Sequence, residues 1–161
     1  MRYFEDFKVG EVIESGTRTI TKDEIMAFAR EFDPQPFHTD EAAARESIYG
    51  GLIASGWHSG SLMMRLFYES LFRDSASMGS PGVDELRWLK PVRPGDTLRL
   101  RTTVREVIES RSKPDRGLVR TFCELLNQDG EVVMTLKPVN FVRRRPAGAA
   151  GASDETRSQT R

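Results

Sequence analysis

The sequence predicts an α+β fold in which one antiparallel β-sheet wraps around a long central α-helix. Three observations carry that expectation. Residues 52–72 hold a dense apolar set (Leu52, Ile53, Trp57, Leu62, Met63, Met64, Leu66, Phe67, Tyr68, Leu71 and Phe72) that covers far more than one helical face, as a helix enclosed by protein requires. After residue 74 the chain changes to strand-like stretches separated by turn sequences. One further strand-like stretch precedes the helix. A helix followed by about four strands, with one strand ahead of it, buries all its apolar surface if the sheet folds around the helix.

Taken in order, Glu11–Ser15 and Thr17–Ile20 are rich in β-branched residues and roughly alternate, with Gly16 placed for a bulge. Thr21-Lys22-Asp23-Glu24 has the form of a capping box. Ile25, Phe28, Ala29 and Phe32 follow at helical spacing, which predicts an amphipathic helix over 22–32. Pro34 should stop it at Asp33, because the residue before a proline avoids the α region. Pro34 and Pro36 fix two φ angles, so the segment from Asp33 to His38 is expected to be stiff and non-helical. Thr39 or Asp40 can cap a short helix through Glu41–Glu46, which Gly50-Gly51 breaks. The long helix opens on small residues: Ala54, Ser55, Gly56, Ser59, Gly60 and Ser61. A helical Gly costs roughly 1 kcal/mol relative to Ala, so Gly56 and Gly60 ask for a reason. Close approach of a ligand or another backbone is one, and tight packing on the sheet is the other. Beyond the helix, Asp84–Leu89, Thr97–Arg105, Leu118–Leu126 and Glu131–Val142 read as strands, with Leu98, Leu100 and Val104 inward and Arg99, Arg101 and Arg105 outward. The Arg93-Pro94-Gly95-Asp96 turn, the polar loop at 110–117 and the Asn127–Gly130 turn predict three consecutive hairpins, hence a meander. Such a sheet keeps a free edge, so a homodimer or a dimer of dimers is expected.

Composition bounds the function. The 161 residues fit one domain at 1–145, and the Ala-, Gly- and Ser-rich stretch at 146–161 is expected to be a disordered tail. Charge balances at 24 Lys and Arg against 24 Asp and Glu, so no nucleic-acid footprint is expected. The Arg143-Arg144-Arg145 run reads as the end of the last strand. No apolar run reaches the 18 or so residues a membrane span needs, and the start lacks a signal-peptide core. With one cysteine, Cys123, in a strand-like run, a cytoplasmic setting is expected, and Cys123 reads as a small core hydrophobe. No His/Cys cluster has metal spacing and no Gly-rich loop suits a phosphate, so neither metal nor cofactor is expected.

The chemistry concentrates at Phe32-Asp33-Pro34-Gln35-Pro36-Phe37-His38. An acid and an imidazole five residues apart, in a proline-stiffened segment, can hold a water between them. By themselves they read equally as a helix-ending Asp and a loop His bonded to backbone. Gly56, near the start of the long helix, adds a backbone N–H where the helix dipole favours negative charge. Water addition across the α,β-double bond of a thioester needs a proton acceptor, a proton donor to the α-carbon, and a donor to the enolate oxygen. Asp33 and His38 supply the first two and Gly56 the third. Asp33 is expected as the main base, with His38 positioning the water and sharing the proton transfer; the reverse assignment stays open. Ser55, Trp57, His58 and Ser59 flank Gly56 and are candidates for the substrate wall, although core packing is the plainer reading of each. Neither Ser55 nor Ser59 has a second base to make it a nucleophile.

The Asp33-x-x-Pro36-x-His38 segment, the Gly-rich start of the long helix and the Leu86-to-Leu98 stretch with its Arg93–Asp96 turn resemble the MaoC-like dehydratases, the (R)-specific enoyl-CoA hydratases of the hot-dog fold. The similarity follows element order over residues 4–143 and is most specific over 28–60. The family motif runs Gly-Asp-x-Asn-Pro-hydrophobic-His: Asp33, Pro36, Phe37 and His38 match, while Phe32 replaces the Gly and Gln35 the Asn. Where the family opens its central helix with His-Gly, Ser55-Gly56 stands here. The resemblance implies a hot-dog fold and an enoyl-CoA hydratase or dehydratase acting on a trans-2-enoyl thioester. Coenzyme A enters only as part of the substrate, its phosphates meeting Lys or Arg. A hot-dog thioesterase is the enzymatic alternative. The acid usual for it on the central helix is missing from residues 52–68, and Glu69 comes late. A non-catalytic acyl-CoA-binding protein is the other alternative.

Overall fold

The computed structural model describes residues 1–147. The expected tail therefore lies almost wholly outside the described residues. Five strands, β1 (Val12–Thr19), β2 (Gly82–Trp88), β3 (Thr97–Glu109), β4 (Arg116–Leu126) and β5 (Val132–Arg143), form one antiparallel sheet in the order β1-β3-β4-β5-β2. Four helices, α1 (Lys22–Phe32), α2 (Pro36–Thr39), α3 (Glu41–Glu46) and α4 (Gly56–Ser70), lie between β1 and β2. The sheet curls around α4. Leu62, Met63, Leu66 and Phe67 of α4 are buried in one core with Leu98, Leu100, Val104, Val119, Cys123, Leu125 and Val133 from the sheet's inner face. The alternation along β3 and β4 is what makes this work, because every second side chain turns to the helix. Cys123 is fully buried there, and burial pushes its thiol up to about 11, which keeps it protonated and inert.

Local signals held at the helix ends. The Thr21 hydroxyl accepts from Glu24 N–H at 3.2 Å, and the Glu24 carboxylate accepts from Thr21 N–H at 2.9 Å. Asp40 caps α3 through the N–H groups of Ala42 and Ala43. β1 shifts register between Glu14 and Thr17, around Gly16.

The connectivity differs from the expected meander. β3, β4 and β5 do follow one another as hairpins, but β2 pairs with β5 at the edge and makes no ladder with β3. The eight residues between Trp88 and Thr97 are too many for a tight hairpin, and Pro91 and Pro94 cannot donate to a ladder. They cross the sheet's open end instead. Leu89 N–H bonds the Val133 carbonyl, Ala54 N–H the Val92 carbonyl, and Gly95 N–H the Ile20 carbonyl, so the crossing passes the start of α4 from one sheet edge toward the other. The second difference is at the prolines. Pro36 begins a helical turn, α2, because at the first helical position its missing N–H would have no partner. His38 therefore sits on a short helix rather than in an extended segment.

Candidate active site

The site is built where α1, α2 and the start of α4 meet the crossing segment. α1 ends at Asp33, whose N–H closes a last bond to the Ala29 carbonyl at 2.9 Å before Pro34 turns the chain. α2 then carries His38 back toward Asp33, so that His38 Nε2 lies 3.3 Å from Asp33 Oδ2. His38 is buried, while the Asp33 side chain keeps about a fifth of its surface, 19%, accessible. His38 Nδ1 lies 2.7 Å from the Ile53 carbonyl. A carbonyl only accepts, so Nδ1 carries a proton there, while Nε2 faces the Asp33 carboxylate, to which an Nε2 proton would be donated.

Asp33 is held from both sides. The Ser55 hydroxyl donates to Oδ2 at 2.7 Å and the Gln35 amide to Oδ1 at 2.8 Å. Burial alone would push this carboxyl up, but the donors from Ser55, Gln35 and His38 outweigh it and hold it below the usual carboxylate range.

A cleft of about 470 Å³ opens over the pair. Gly56 lies on its wall as the first residue of α4, with Ser55 as the N-cap. A first-turn N–H has no carbonyl of its own helix to reach, so Gly56 N–H remains available. The small size of Gly56 has a specific cause: an added Cβ would fall 2.3 Å from the Trp88 indole. Trp88, at the end of β2, donates from Nε1 to the Gly56 carbonyl at 2.9 Å and stands edge-on to Trp57. Gly60 has no such constraint, since a Cβ there would meet Met134 Cε at 3.6 Å, an ordinary contact.

Among the expected wall residues, Trp57 and Ser59 line the cleft. Ser55 does not: it is fully buried and its hydroxyl is used on Asp33. His58 also turns away. It is buried against Phe28 of α1, the rings parallel at 4.6 Å, and its Nδ1 has no hydrogen-bond partner among the described residues. Burial, reinforced by Arg18 and opposed by Glu24, lowers its pKa, so the ring is neutral. The sequence missed Trp88 and the part Gln35 plays on Asp33. Trp88 is 32 residues from Gly56 and nothing local links them, whereas Gln35 stood in plain view between the dyad residues. No group of three or more metal-ligating side chains occurs among the described residues, and no helix there is long and apolar enough to cross a membrane.

Comparisons with known proteins bear on the whole arrangement. Residues 6–121 match the sequence profile described as MaoC like domain. Among solved structures, the MaoC-like dehydratase from Rhodospirillum rubrum is similar with a TM-score of 0.84 and 46% identity, over 89% of this chain and 98% of that one. The uncharacterized protein YdeM of Bacillus subtilis is 30% identical over 140 residues, 83% of this chain and 97% of its own length. Mesaconyl-CoA hydratase of Cereibacter sphaeroides is 31% identical over 151 residues, 92% of this chain, although the match spans only 43% of that longer protein. With its five-stranded sheet around α4, a hot-dog fold, the chain belongs to the MaoC-like dehydratase family.

Proposed function

We propose that this protein is a hydro-lyase that adds water reversibly to the double bond of a trans-2-enoyl thioester, giving the 3-hydroxyacyl thioester. The observation that carries this reading is the Asp33–His38 pair, 3.3 Å apart on the wall of the same cleft as Gly56. A water held on the cleft side against the Asp33–His38 pair gives one proton to the pair, and its oxygen bonds to C3 of the acyl group. The π electrons move toward the thioester oxygen, where Gly56 N–H meets the developing charge. The proton returns from the pair to C2, and the dyad ends as it began. Coenzyme A takes part as a portion of the substrate.

Hydrolysis of the thioester fits less well. The one acid of α4, Glu69, lies in its last turn and pairs with Arg65 at 2.5 Å, and Asp33 is the one carboxylate on the cleft wall among the described residues. We further propose that the protein works as a homodimer. β2 ends the sheet, and Val83, Trp88 and the adjoining Leu89 are exposed along it, while Trp57, Met64 and Tyr68 form an exposed stripe on α4. A cytoplasmic setting fits the lone, buried thiol of Cys123.

The test is a panel of trans-2-enoyl-CoA substrates, short, long, branched and carboxylated, since one relative is named for mesaconyl-CoA. Loss of the conjugated double bond and release of free thiol are followed together. The expected result is double-bond loss without thiol. Removing a general acid–base group costs about 10²–10⁴-fold, so Asp33→Asn and His38→Ala should each fall in that range. Losses of tenfold or less in both would overturn the dyad, and thiol release would make the protein a thioesterase.

A further inference from the structure

Two side chains of opposite charge, Asp33 and Lys90, lie on a cleft wall that Phe37, Trp57, Trp88, Leu89 and Val92 make mainly apolar. Lys90 is the one Lys or Arg on that wall among the described residues, and its ammonium is already paired with Glu131, which is off the wall. We infer that the acyl group this cleft accepts is uncharged, and that Glu131 enforces this by holding Lys90 away from any acyl chain that carries a carboxylate at C4. This rests on the hydratase reading and names the substrate class within it.

A carboxylate at C4 is one bond from C3, the carbon to which the Asp33–His38 pair delivers water. It therefore enters the field of the Asp33 carboxylate, and like charges repel more strongly on a partly desolvated wall than in open water. The donors around Asp33 are already engaged. His38 turns its ring nitrogens to the Ile53 carbonyl and to Asp33, the Gln35 amide and the Ser55 hydroxyl donate to Asp33, and Trp88 Nε1 donates to the Gly56 carbonyl. Tyr49 and Trp57, also on the wall, are neutral donors and leave a buried charge uncompensated. Lys90 is tethered at both ends. Its N–H and that of Leu89 share the Val133 carbonyl, at 3.2 and 2.9 Å. Its ammonium sits on Glu131 Oε1, while Glu131 Oε2 accepts from the Asn127 amide at 3.0 Å and Glu131 N–H donates to Asn127 Oδ1 at 3.0 Å. The turn between β4 and β5 thus carries a fixed countercharge to Lys90. Arg93, the next cation of the crossing segment, donates to the Tyr49 carbonyl at 2.6 Å and is off the cleft wall.

The experiment uses the full chain as wild type, Glu131→Gln and Glu131→Asp, with thioesters that differ only in whether C4 is a methyl or a carboxylate. Crotonyl-CoA and fumaryl-CoA report turnover. Butyryl-CoA and succinyl-CoA, which lack the double bond, report binding by calorimetry. In the wild type, crotonyl-CoA should exceed fumaryl-CoA about a hundredfold in kcat/KM, and butyryl-CoA should bind about tenfold tighter than succinyl-CoA. Glu131→Gln keeps an oxygen for Asn127 and removes the charge, so it frees Lys90 without loss of the turn. It should improve fumaryl-CoA turnover and succinyl-CoA binding about two- to fivefold, the size of an exposed ion pair, with the crotonyl and butyryl values unchanged. Glu131→Asp keeps the charge and should keep the wild-type preference. Fumaryl-CoA within about tenfold of crotonyl-CoA, or succinyl-CoA bound as tightly as butyryl-CoA, would overturn the substrate class. A change in Glu131→Gln shared equally by charged and uncharged thioesters would mark a merely structural side chain and overturn its part in specificity. A wild type silent on both enoyl thioesters fails the hydratase reading, and the binding pair still decides this one.

Discussion

At the scale of single residues, Gly56 shows a side chain chosen by its absence. The position lets the Trp88 indole lie against the backbone, and any Cβ would collide with that ring. Gly56→Ala gains roughly 1 kcal/mol of helix propensity but forces the indole aside, breaking its bond to the Gly56 carbonyl. Overpacking of this kind costs about 1–3 kcal/mol, so the net change in stability should be small, at most about 2 kcal/mol downward. Turnover should suffer more, by tenfold or more, because the displaced ring shares the cleft wall with Gly56 N–H. Adding Trp88→Ala should return the lost stability without returning the lost turnover. A double-mutant cycle in denaturant and in the enoyl-CoA assay reads both terms, and strict additivity in stability would count against the contact. Sequence alone showed that Gly56 needed a reason and paired it with Gly60. It gave no means of separating the two, because the separating fact is a tryptophan on another element.

At the scale of elements, legibility followed the range of the forces involved. The capping box at Thr21, the stop at Asp33 and the alternation in β3 are set by neighbours within a few residues, and each was readable. The placement of β2 was not, because a turn with Pro and Gly looks like a hairpin whether the strands it joins are neighbours or lie on opposite edges. The dyad was readable because both members sit in one short segment; the Ser55 contact across 22 residues was not. His58 tests how well α1 and α4 fit. Its unpartnered Nδ1 and neutral ring against Phe28 mean that the folded chain binds this proton less readily than the unfolded chain. Stability from this group is therefore complete above the ordinary value of 6.5 and is lost as pH falls below it toward the depressed folded value. His58→Leu removes the titration and the orphaned nitrogen together. The drop in Tm between pH 7.5 and pH 5.5 should shrink in the variant, with turnover near wild type because His58 is off the cleft wall. An equal drop in both proteins would mean that the α1–α4 junction accommodates the charge.

At the scale of the whole molecule, the free edges of the sheet are unequal. β1 presents Glu14 and Arg18, whereas β2 carries exposed Val83 and ends at Trp88, which stands edge-on to the exposed Trp57 of α4. A two-fold axis between Glu85 and Leu86 would set two β2 strands antiparallel, each residue facing its counterpart in an isologous pair. Asp84 then faces the partner's Arg87, and Val83 faces the partner's Trp88, so charge and apolar surface match in one register. Because symmetry makes every contact twice, Arg87→Asp replaces two attractive pairs with two repulsive ones. Surface pairs contribute about 0.2–1 kcal/mol each, and with the repulsion added the dimer should weaken roughly tenfold to a hundredfold. Adding Asp84→Arg restores opposite charges and should restore most of the dimer, although Asp84 also pairs with Arg120 in its own chain. Light scattering over a dilution series measures this, and turnover should track the dimer fraction, since Trp57, Trp88 and Leu89 belong both to this face and to the cleft wall. A wild type that is monomeric at micromolar concentration and fully active would show that the cleft is complete in one chain.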